Sequence, residues 1–551
     1  MTGYTFNQLF DFTRTTAGTF VGSNGLLQTT PASVNLLTFT QEFDNAAWVN
    51  SIGGTGTNPT ISANTGVAPD GTPTADRLQF SLGGGTTLTD LTRRIQNYST
   101  LGSTTYTFSV YLRSFDGSST YNMHLVGADG VTTSIVVTGV WQRFTITTSR
   151  VGVATVGYAI GLRGGLSPAN SNTADVLAWG AQLELGSTAT TYARNNGGLF
   201  PPRFDYDPVT LAPRGILIEE QRTNLATYSD QFDNAVWTKL NATVTANATA
   251  SPDGAVNADK LAEDAAAGVG HLISQGPTLT AVAHTYSVYA KASERNWICL
   301  LNNSIANALA FFNLATGTIG TVGSGATATI TNVGNGWYRC SITFTAIAAT
   351  NNCHIRLAPS DNVLTYNGVA GSGAFIYGAQ LEAGAFATSY IPTVASQVTR
   401  TADGCAITAP MFAPWYVQNA GTFVIEFQAL FSGATSTTVF GLTADANVSK
   451  RFFYIGAGSD QASTFDGTTI VTAAGDITGP VVKVASVYDA SGRAIVSNGG
   501  AVASGAVAAG YSTASSLNIG NFGGNSGFGH IRRVTYYPFR ASNNQLQALT
   551  T

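Results

Sequence analysis

Charged side chains are scarce in this chain of 551 residues. Asp, Glu, Lys and Arg together make up 10% of it, whereas soluble domains typically hold about 25%. The formal net charge of -4 leaves no basic excess for phosphate, so nucleic acid is not an expected partner. The 29 Phe, 21 Tyr and 7 Trp residues exclude a disordered chain, because so many aromatic rings must be buried or used.

Apolar runs of about 18 residues, long enough to cross a membrane, are also missing. The opening sequence MTGYTFNQLF has neither the charged start nor the apolar core of a signal peptide. We therefore expect synthesis in the cytoplasm without membrane insertion, and release by lysis or within an assembled particle.

Cysteine is rare, and the four cysteines all lie in the second half without a CxxC pair: Cys299, Cys340, Cys353 and Cys405. We predict buried free thiols, with a bridge between Cys340 and Cys353 as the alternative. The five histidines show no metal-binding spacing.

Catalytic motifs are absent from the sequence. It has no GxSxG elbow, no P-loop and no glycine-rich dinucleotide turn, so no enzyme activity and no required cofactor are expected. Asp205 and Asp207 in FDYDP form a tempting carboxylate pair of the kind that glycoside hydrolysis needs. Because prolines bracket them, we predict solvated turn residues instead.

The chain does contain a long internal repeat. Five blocks recur in the same order about 190 residues later, a period of whole domains rather than of solenoid units. The pairs are NLLTFTQEFDNAAWV with NLATYSDQFDNAVWT, APDGTPTADRL with SPDGAVNADKL, SVYLR with SVYAK, WQRFTIT with WYRCSIT, and GAQLELGSTATTY with GAQLEAGAFATSY.

Strand patterns fill most of the sequence. Apolar residues alternate in YTFSVYLRS, RFTITTSRVGV and TFVIEFQALF, and turn residues such as PDG and NGG separate the runs. This pattern predicts an all-β chain of two-sheet sandwiches. The predicted divisions are an N-terminal segment (1–34), module 1 (35–194), a proline-rich linker (195–223), module 2 (224–393) and a third sandwich (394–551).

The repeated blocks resemble a domain family of bacteriophage and prophage structural proteins. The resemblance rests on all five blocks, present twice, and covers most of residues 25–393. It implies tandem jelly-roll sandwiches similar to carbohydrate-binding modules. TFVIEFQALF, SLNIGN and GHIRRVTYYPFRASNNQLQALT resemble a laminin-G-like, concanavalin A-like sandwich, although DASGRAIVSNGG replaces the family's usual Trp and VNG turn.

This resemblance implies a virion structural protein, such as a head spike, head fibre or tail-associated adhesin, that displays sugar-binding domains for attachment to host-surface polysaccharide. The N-terminal segment is then expected to contact other virion proteins, and a homo-oligomer, with a trimer as the expected form, is implied at the virion surface. Two alternatives remain open: a capsid decoration protein that binds no glycan, and a capsule depolymerase.

Residues that both copies retain are interpreted mainly as scaffold. Core packing is predicted for four aromatic pairs, with sugar stacking as the alternative: Phe43 and Phe232, Trp48 and Trp237, Tyr111 and Tyr289, Trp141 and Trp337. Turn capping, or pairing with the adjacent basic residue, is predicted for Asp76 and Asp259, and strand-end anchoring for Glu184 and Glu382. Because these carboxylates recur, a structural calcium site is left open.

Sugar recognition needs aromatic faces for the pyranose ring and polar groups for its hydroxyls. Trp297 and Tyr121 follow the matched SVY strands, and Trp415 with Tyr416 precedes the first long strand of the third sandwich. These four residues are the carbohydrate-binding candidates from the sequence.

Overall fold

The fold consists of antiparallel β-sandwiches, which confirms the predicted all-β, tandem-sandwich class. The computed structural model describes residues 9–100, 103–198, 200–409, 411–429, 440–444, 451–455, 461–466, 468–474, 477, 479, 481–506, 514–522, 525–526 and 529–551. No helix among these residues is long and apolar enough to cross a membrane.

Module 1 is a sandwich of two five-stranded sheets. Its front sheet has the order Gln142–Arg150, Thr104–Ser114, Thr173–Leu185, Ala75–Ser81, Thr60–Gly66. Its back sheet has the order Thr132–Val137, Tyr121–Val126, Thr155–Arg163, Leu91–Ser99, Val49–Gly53. A short 3-10 turn, Ala128–Gly130, follows the second of these back-sheet strands.

Module 2 repeats this arrangement with two six-stranded sheets. Its front sheet has the order Ala242–Ala250, Val256–Glu263, Gly373–Ala383, Ala283–Ala292, Trp337–Thr345, Thr327–Asn332. Its back sheet has the order Thr238–Leu240, Leu272–Gln275, Cys353–Ala358, Trp297–Asn302, Leu309–Asn313, Thr318–Val322.

Alternation along the strands places the core between the two sheets of each module. In Thr104–Ser114, alternate residues from Tyr106 to Leu112 are fully buried in the module 1 core. Successive side chains of a strand point to opposite faces, so Ser109, Tyr111 and Arg113 lie on the outward side. The front sheet therefore presents a second, polar and aromatic surface.

The third sandwich has two seven-stranded sheets. One has the order Asp11–Thr13, Gly404–Ile407, Leu517–Ile519, Phe440–Ala444, Arg451–Ile455, Ala462–Phe465, Ile470–Thr472. The other has the order Arg203–Tyr206, Pro213–Ile218, Gly529–Tyr537, Gly421–Ala429, Val482–Asp489, Gly492–Ser497, Ala503–Gly505. A helix, Asn543–Thr550, follows, and its capping box at Ser542 satisfies its first amides.

The segment predicted as a linker is therefore part of the third sandwich. Arg203–Tyr206 and Pro213–Ile218 pair with each other, and the latter pairs with Gly529–Tyr537. Of the prolines that suggested a linker, Pro201 and Pro202 precede the first strand and Pro213 is the first residue of the second, a position at which proline is tolerated.

The N-terminal segment is also built into the fold from residue 9 onward. Asp11–Thr13 pairs with Gly404–Ile407, and Thr19–Val21 pairs with Leu27–Thr29 in a hairpin, here called the N-terminal hairpin. Two further short pairs are Arg222–Asn224 with Val398–Arg400 and Asn521–Phe522 with Asn525–Ser526. The first eight residues, to which virion attachment was partly assigned, lie outside the described ranges.

A buried ionic cluster joins these parts of the chain. We call this cluster the junction network. It consists of five residues whose side chains have 0% exposure: Arg14, Arg203, Glu219, Arg400 and Asp403. Asp403 accepts from Arg14 at 2.8 Å, from Arg203, and from the Glu219 amide at 2.9 Å. Glu219 in turn accepts from Arg203 and from the Ser389 amide of module 2.

Glu219 makes the junction network sensitive to acid. Burial by itself raises the pKa of this carboxyl, but Arg400 and Arg203 outweigh burial and hold the pKa at about 2, below its ordinary 4.5. A lowered carboxyl pKa contributes stability that is complete above pH 4.5 and is lost as the pH falls toward 2. We expect the melting temperature to fall across this window in calorimetry, and to fall less in the Glu219→Gln variant. An equal fall in both proteins would contradict this assignment.

All four cysteines are buried free thiols, which confirms the main prediction. The alternative bridge between Cys340 and Cys353 is wrong. Cys340 and Cys353 instead contribute their side chains to the apolar core of module 2.

Candidate functional site

The repeated aspartates have the same structural role in both modules. Asp76 accepts from the amides of Phe43 and Asn64 at 2.7 and 2.8 Å. Asp259 accepts from the matched amides, those of Phe232 and Asn247, at 2.8 and 2.9 Å. The turn-capping prediction is confirmed in this form, and neither aspartate pairs with the adjacent basic residue.

The repeated glutamates anchor the end of the long front-sheet strand, as predicted. Glu184 accepts from the amide and the hydroxyl of Thr190 at 2.9 and 2.6 Å, and Glu382 does the same with Thr388 at 2.8 and 2.7 Å. These bonds turn the following segment back over the outward side of the sheet. That turn brings Tyr192 in module 1 above the strand it has just left.

The calcium site left open by the sequence has no support from these carboxylates. The oxygens of all four accept hydrogen bonds from protein donors, and within the described ranges no three His, Cys, Asp or Glu side chains form a group able to hold a metal ion. The recurring acids therefore serve the scaffold.

The four aromatic pairs divide into two classes. Phe43, Trp48 and their partners in module 2 are at most 1% exposed, so the core prediction is confirmed for them. Trp337 is also 1% exposed, but its match Trp141 is partly exposed. The outward side of the front sheet is thus open in module 1 and covered in module 2.

An aromatic hollow, here called the module 1 recess, lies on this open face. Trp179 forms its floor and is 4% exposed. Tyr111 and Tyr192 flank it, with ring centroids 5.4 and 4.6 Å from that of Trp179, and both tyrosines are partly exposed. The hollow has a volume of about 840 Å³.

A glycine makes the close approach of these rings possible. Gly180 has a φ of +64° at a bulge in the strand, and an added Cβ would lie 3.2 Å from the Tyr111 ring and 3.5 Å from the Tyr192 ring. Any larger residue would be strained in this backbone conformation and would push the tyrosines apart.

Polar groups surround the rings of the module 1 recess. Arg143 donates to the Ser109 hydroxyl at 3.0 Å and to the Thr190 carbonyl, and its guanidinium carbon lies 5.4 Å from the Tyr111 ring centroid. This geometry holds a cation over an aromatic face. Three further polar side chains line the hollow: Gln41, Asp70 and Arg194.

The matched face of module 2 is closed by the N-terminal hairpin. Leu27 of the hairpin contacts its aromatic cluster, and the Thr19 hydroxyl donates to the carbonyl of Tyr390 at 2.6 Å. Three tyrosines are consequently at most 5% exposed: Tyr289, Tyr377 and Tyr390. A cleft of about 380 Å³ remains between the hairpin, module 2 and the third sandwich.

Trp297 and Tyr121 lie away from the module 1 recess. Each begins a strand of a back sheet. Trp297 packs with Leu309 and Leu364 on the outward side of module 2, and Tyr121 packs partly against the core of module 1. Their role in sugar binding stays a prediction, and the structure does not bring them together.

Trp415 and Tyr416 belong to the core of the third sandwich. Tyr416 is 8% exposed and stacks on Phe412 at a centroid distance of 4.4 Å. Trp415 is partly buried against the same core, and its indole donates to the Met411 carbonyl at 2.6 Å. Tyr416 therefore has no open ring face for a sugar, and sugar binding by Trp415 stays a prediction.

The two aspartates of FDYDP have different environments. Asp207 accepts from the amides of Val209 and Thr210, as predicted for a turn residue. Asp205 is 6% exposed and accepts from the Val21 amide and from His530 at 2.7 Å. The predicted solvated position is therefore wrong for Asp205, which joins the hairpin to the third sandwich.

Comparison with known proteins leaves the site without a family assignment. No protein-family model and no curated protein matches the sequence. Among solved structures, the chain is similar to the N-terminal CBM22-1-CBM22-2 tandem domain of Xyn10C from Paenibacillus barcinonensis, at 14% identity and a TM-score of 0.22, over 64% of this chain and 99% of that chain. A CBM4 structure matches at 17% identity and a TM-score of 0.18, over 28% of this chain and 100% of that chain.

Proposed function

We propose that this chain is a non-catalytic virion surface protein whose module 1 binds host-surface polysaccharide in the module 1 recess. The observation that carries the proposal is that the aromatic face of the front sheet is open in module 1, whereas the N-terminal hairpin covers the matched face of module 2. The sequence resemblance to phage structural domains supports the location at the virion surface.

The chemistry of the module 1 recess suits a sugar ring. The apolar C–H face of a pyranose packs against aromatic rings, which Tyr111 and Tyr192 supply with partly exposed faces above Trp179. Hydroxyl groups need fixed donors and acceptors. Arg143 and Asp70 provide them at the rim of the hollow.

The two modules together present one open recess, in module 1, which favours an assembly with several copies of the chain. Single shallow sugar sites bind weakly, and linking several sites raises the overall avidity. A homo-oligomer, with a trimer as the form that the family resemblance favours, is therefore part of the proposal, and its contacts would come from sandwich faces.

Removing the flanking rings should abolish most of the binding. We expect Tyr111→Ala and Tyr192→Ala each to weaken glycan binding about tenfold, since one lost aromatic contact costs about 1.4 kcal/mol. A glycan array with the purified full chain identifies the ligand, and calorimetric titration then measures each variant. Phe539→Ala is the matched control, because Phe539 is 51% exposed in the third sandwich and should leave affinity unchanged.

Three outcomes would contradict the proposal. An array without signal, together with particles weakened by deletion of the protein, favours the capsid decoration alternative. New reducing ends after incubation with capsule polysaccharide favour a depolymerase. Absence of the protein from purified virions, tested by mass spectrometry and by imaging on the particle, would remove the virion assignment.

A further inference from the structure

A second polar cluster lies on the outward side of the module 1 back sheet, across the sandwich from the module 1 recess. Gly161 lies between Arg93 and His124 on three adjacent strands and pairs with both. An added Cβ at Gly161 would lie 2.9 Å from Arg93 Cγ, so glycine lets the Arg93 side chain cross the middle strand. Arg93 Nε then donates to His124 Nε2 at 3.0 Å.

His124 is held in one neutral form by its neighbours. Its Nε2 accepts from Arg93, so the ring proton is on Nδ1, which donates to Asn170 Oδ1 at 2.8 Å. Burial, followed by the charge of Arg93, lowers the pKa of His124 to about 4. Asn170 Oδ1 also accepts from the Arg163 amide at 2.9 Å. These four residues, Arg93, His124, Asn170 and Arg163, are called the basic cluster.

The basic cluster contains donors without acceptors. Arg93 Nη2 and Asn170 Nδ2 are buried and have no hydrogen-bond partner, although buried donors are almost always paired. Arg163 donates from Nε to the Leu88 carbonyl at 2.6 Å. Within the described part of the chain no carboxylate forms an ion pair with either arginine. Burial, and then the charge of Arg163, accordingly lower the pKa of Arg93 to about 10.

The fold itself does not require these residues. Gln96 accepts from the Thr38 amide and Gln275 from the matched Thr227 amide. These equivalent bonds establish which residues of the two back sheets correspond. At the positions of Arg93, His124 and Arg163, module 2 then has three side chains without charge: Leu272, Cys299 and Ala358. Module 2 has an arginine at the position of Gly161 instead, Arg356, which donates to His354 at 3.3 Å, so the arrangement of the basic cluster is not repeated there.

We propose that the basic cluster is an oxyanion-binding site, which takes a sugar-borne carboxylate or a free inorganic oxyanion. Guanidinium groups form strong, charge-assisted hydrogen bonds with such ions. An anion between Arg93 and Arg163 would reduce their repulsion and accept from the unpaired amide of Asn170. The site lies on the other sheet from the module 1 recess, so it goes beyond the proposed function and does not depend on it.

Calorimetric titration of the full chain with sodium glucuronate, sodium sulfate and neutral glucose tests the site. We expect saturable binding of an anion and none of glucose. Arg93→Gln and Arg163→Gln should each weaken anion binding about tenfold, the loss that one charge-assisted bond predicts. Thermal unfolding checks that each variant folds, and the second variant keeps the test decisive if the first does not fold.

Arg113→Gln is the matched control. Arg113 lies on the front sheet with its guanidinium carbon 5.6 Å from the Trp141 ring centroid, outside the basic cluster, so its replacement should leave anion affinity unchanged. Binding of glucuronate alone assigns the site to sugar carboxylates, and binding of sulfate alone assigns it to a free ion; both support an oxyanion site. Absence of saturable binding to either anion, or an equal loss in Arg113→Gln, would overturn the proposal.

Discussion

Replacing Asp403 by alanine is expected to lower the free energy of unfolding by about 3–5 kcal/mol, because removing one partner of a buried ion pair leaves an uncompensated charge. Asp403 is the ion-pair partner of Arg14 at 2.8 Å and one of two partners of Arg203. Both guanidinium groups have 0% side-chain exposure, so water does not replace the lost carboxylate.

The effect should be strongest where the junction network holds the strands of the third sandwich together. Hydrogen exchange followed by mass spectrometry reports opening free energies for each part of the full chain. Lys260→Ala is a suitable control, since Lys260 and Glu294 form a surface pair at 2.9 Å with 21% and 50% exposure, and such pairs contribute less than about 1 kcal/mol. Similar losses in the two variants would show that the junction network does not stabilise the fold.

Trp337→Ala should destabilise module 2 by about 3–5 kcal/mol, the usual cost of removing a fully buried tryptophan. Its match in module 1 provides the comparison. Trp141→Ala should cost only about 1–2 kcal/mol, since that indole is partly exposed. The Trp337 indole donates to the Ala250 carbonyl and the Trp141 indole to the Val67 carbonyl, both at 3.1 Å. Both variants lose one such hydrogen bond, so this loss does not contribute to the difference between them.

Hydrogen exchange in peptides from each module measures the two losses of stability in full-length variants. The difference between them reports how much the covered face of module 2 contributes relative to the open face of module 1. Equal losses would mean that the two faces are equally accessible in solution, and would contradict the assignment of the module 1 recess as the open face.

The sequence predicted the parts of the fold that local patterns determine. Alternation in YTFSVYLRS identifies a strand and its buried residues, and repetition identifies the scaffold role of Asp76 and Glu184. One of the two partners of Pro213–Ile218 lies at Gly529–Tyr537, and no local pattern indicates a pairing over such a separation. Because this partner is distant in the sequence, the prolines of the segment favoured a linker rather than a strand.

The candidate site could be predicted only in part. Tyr111, Arg143 and Tyr192 all lie in repeated blocks, and repetition assigned such residues to the scaffold. The two copies differ in the exposure of this face because a hairpin outside the five repeated blocks, with Leu27 at its contact, covers one of them. Trp179 has Tyr377 as its match, an exchange between aromatic residues that gives little signal in the sequence.

The third sandwich is assembled from three separate parts of the chain. Asp11–Thr13, Arg203–Ile218 and the strands after Gly404 share its two sheets, so both modules are insertions between its strands. Its strand Gly529–Tyr537 is synthesised after both modules. We therefore expect modules 1 and 2 to fold during translation, whereas the sandwich that joins them closes only after Gly529–Tyr537 has been synthesised.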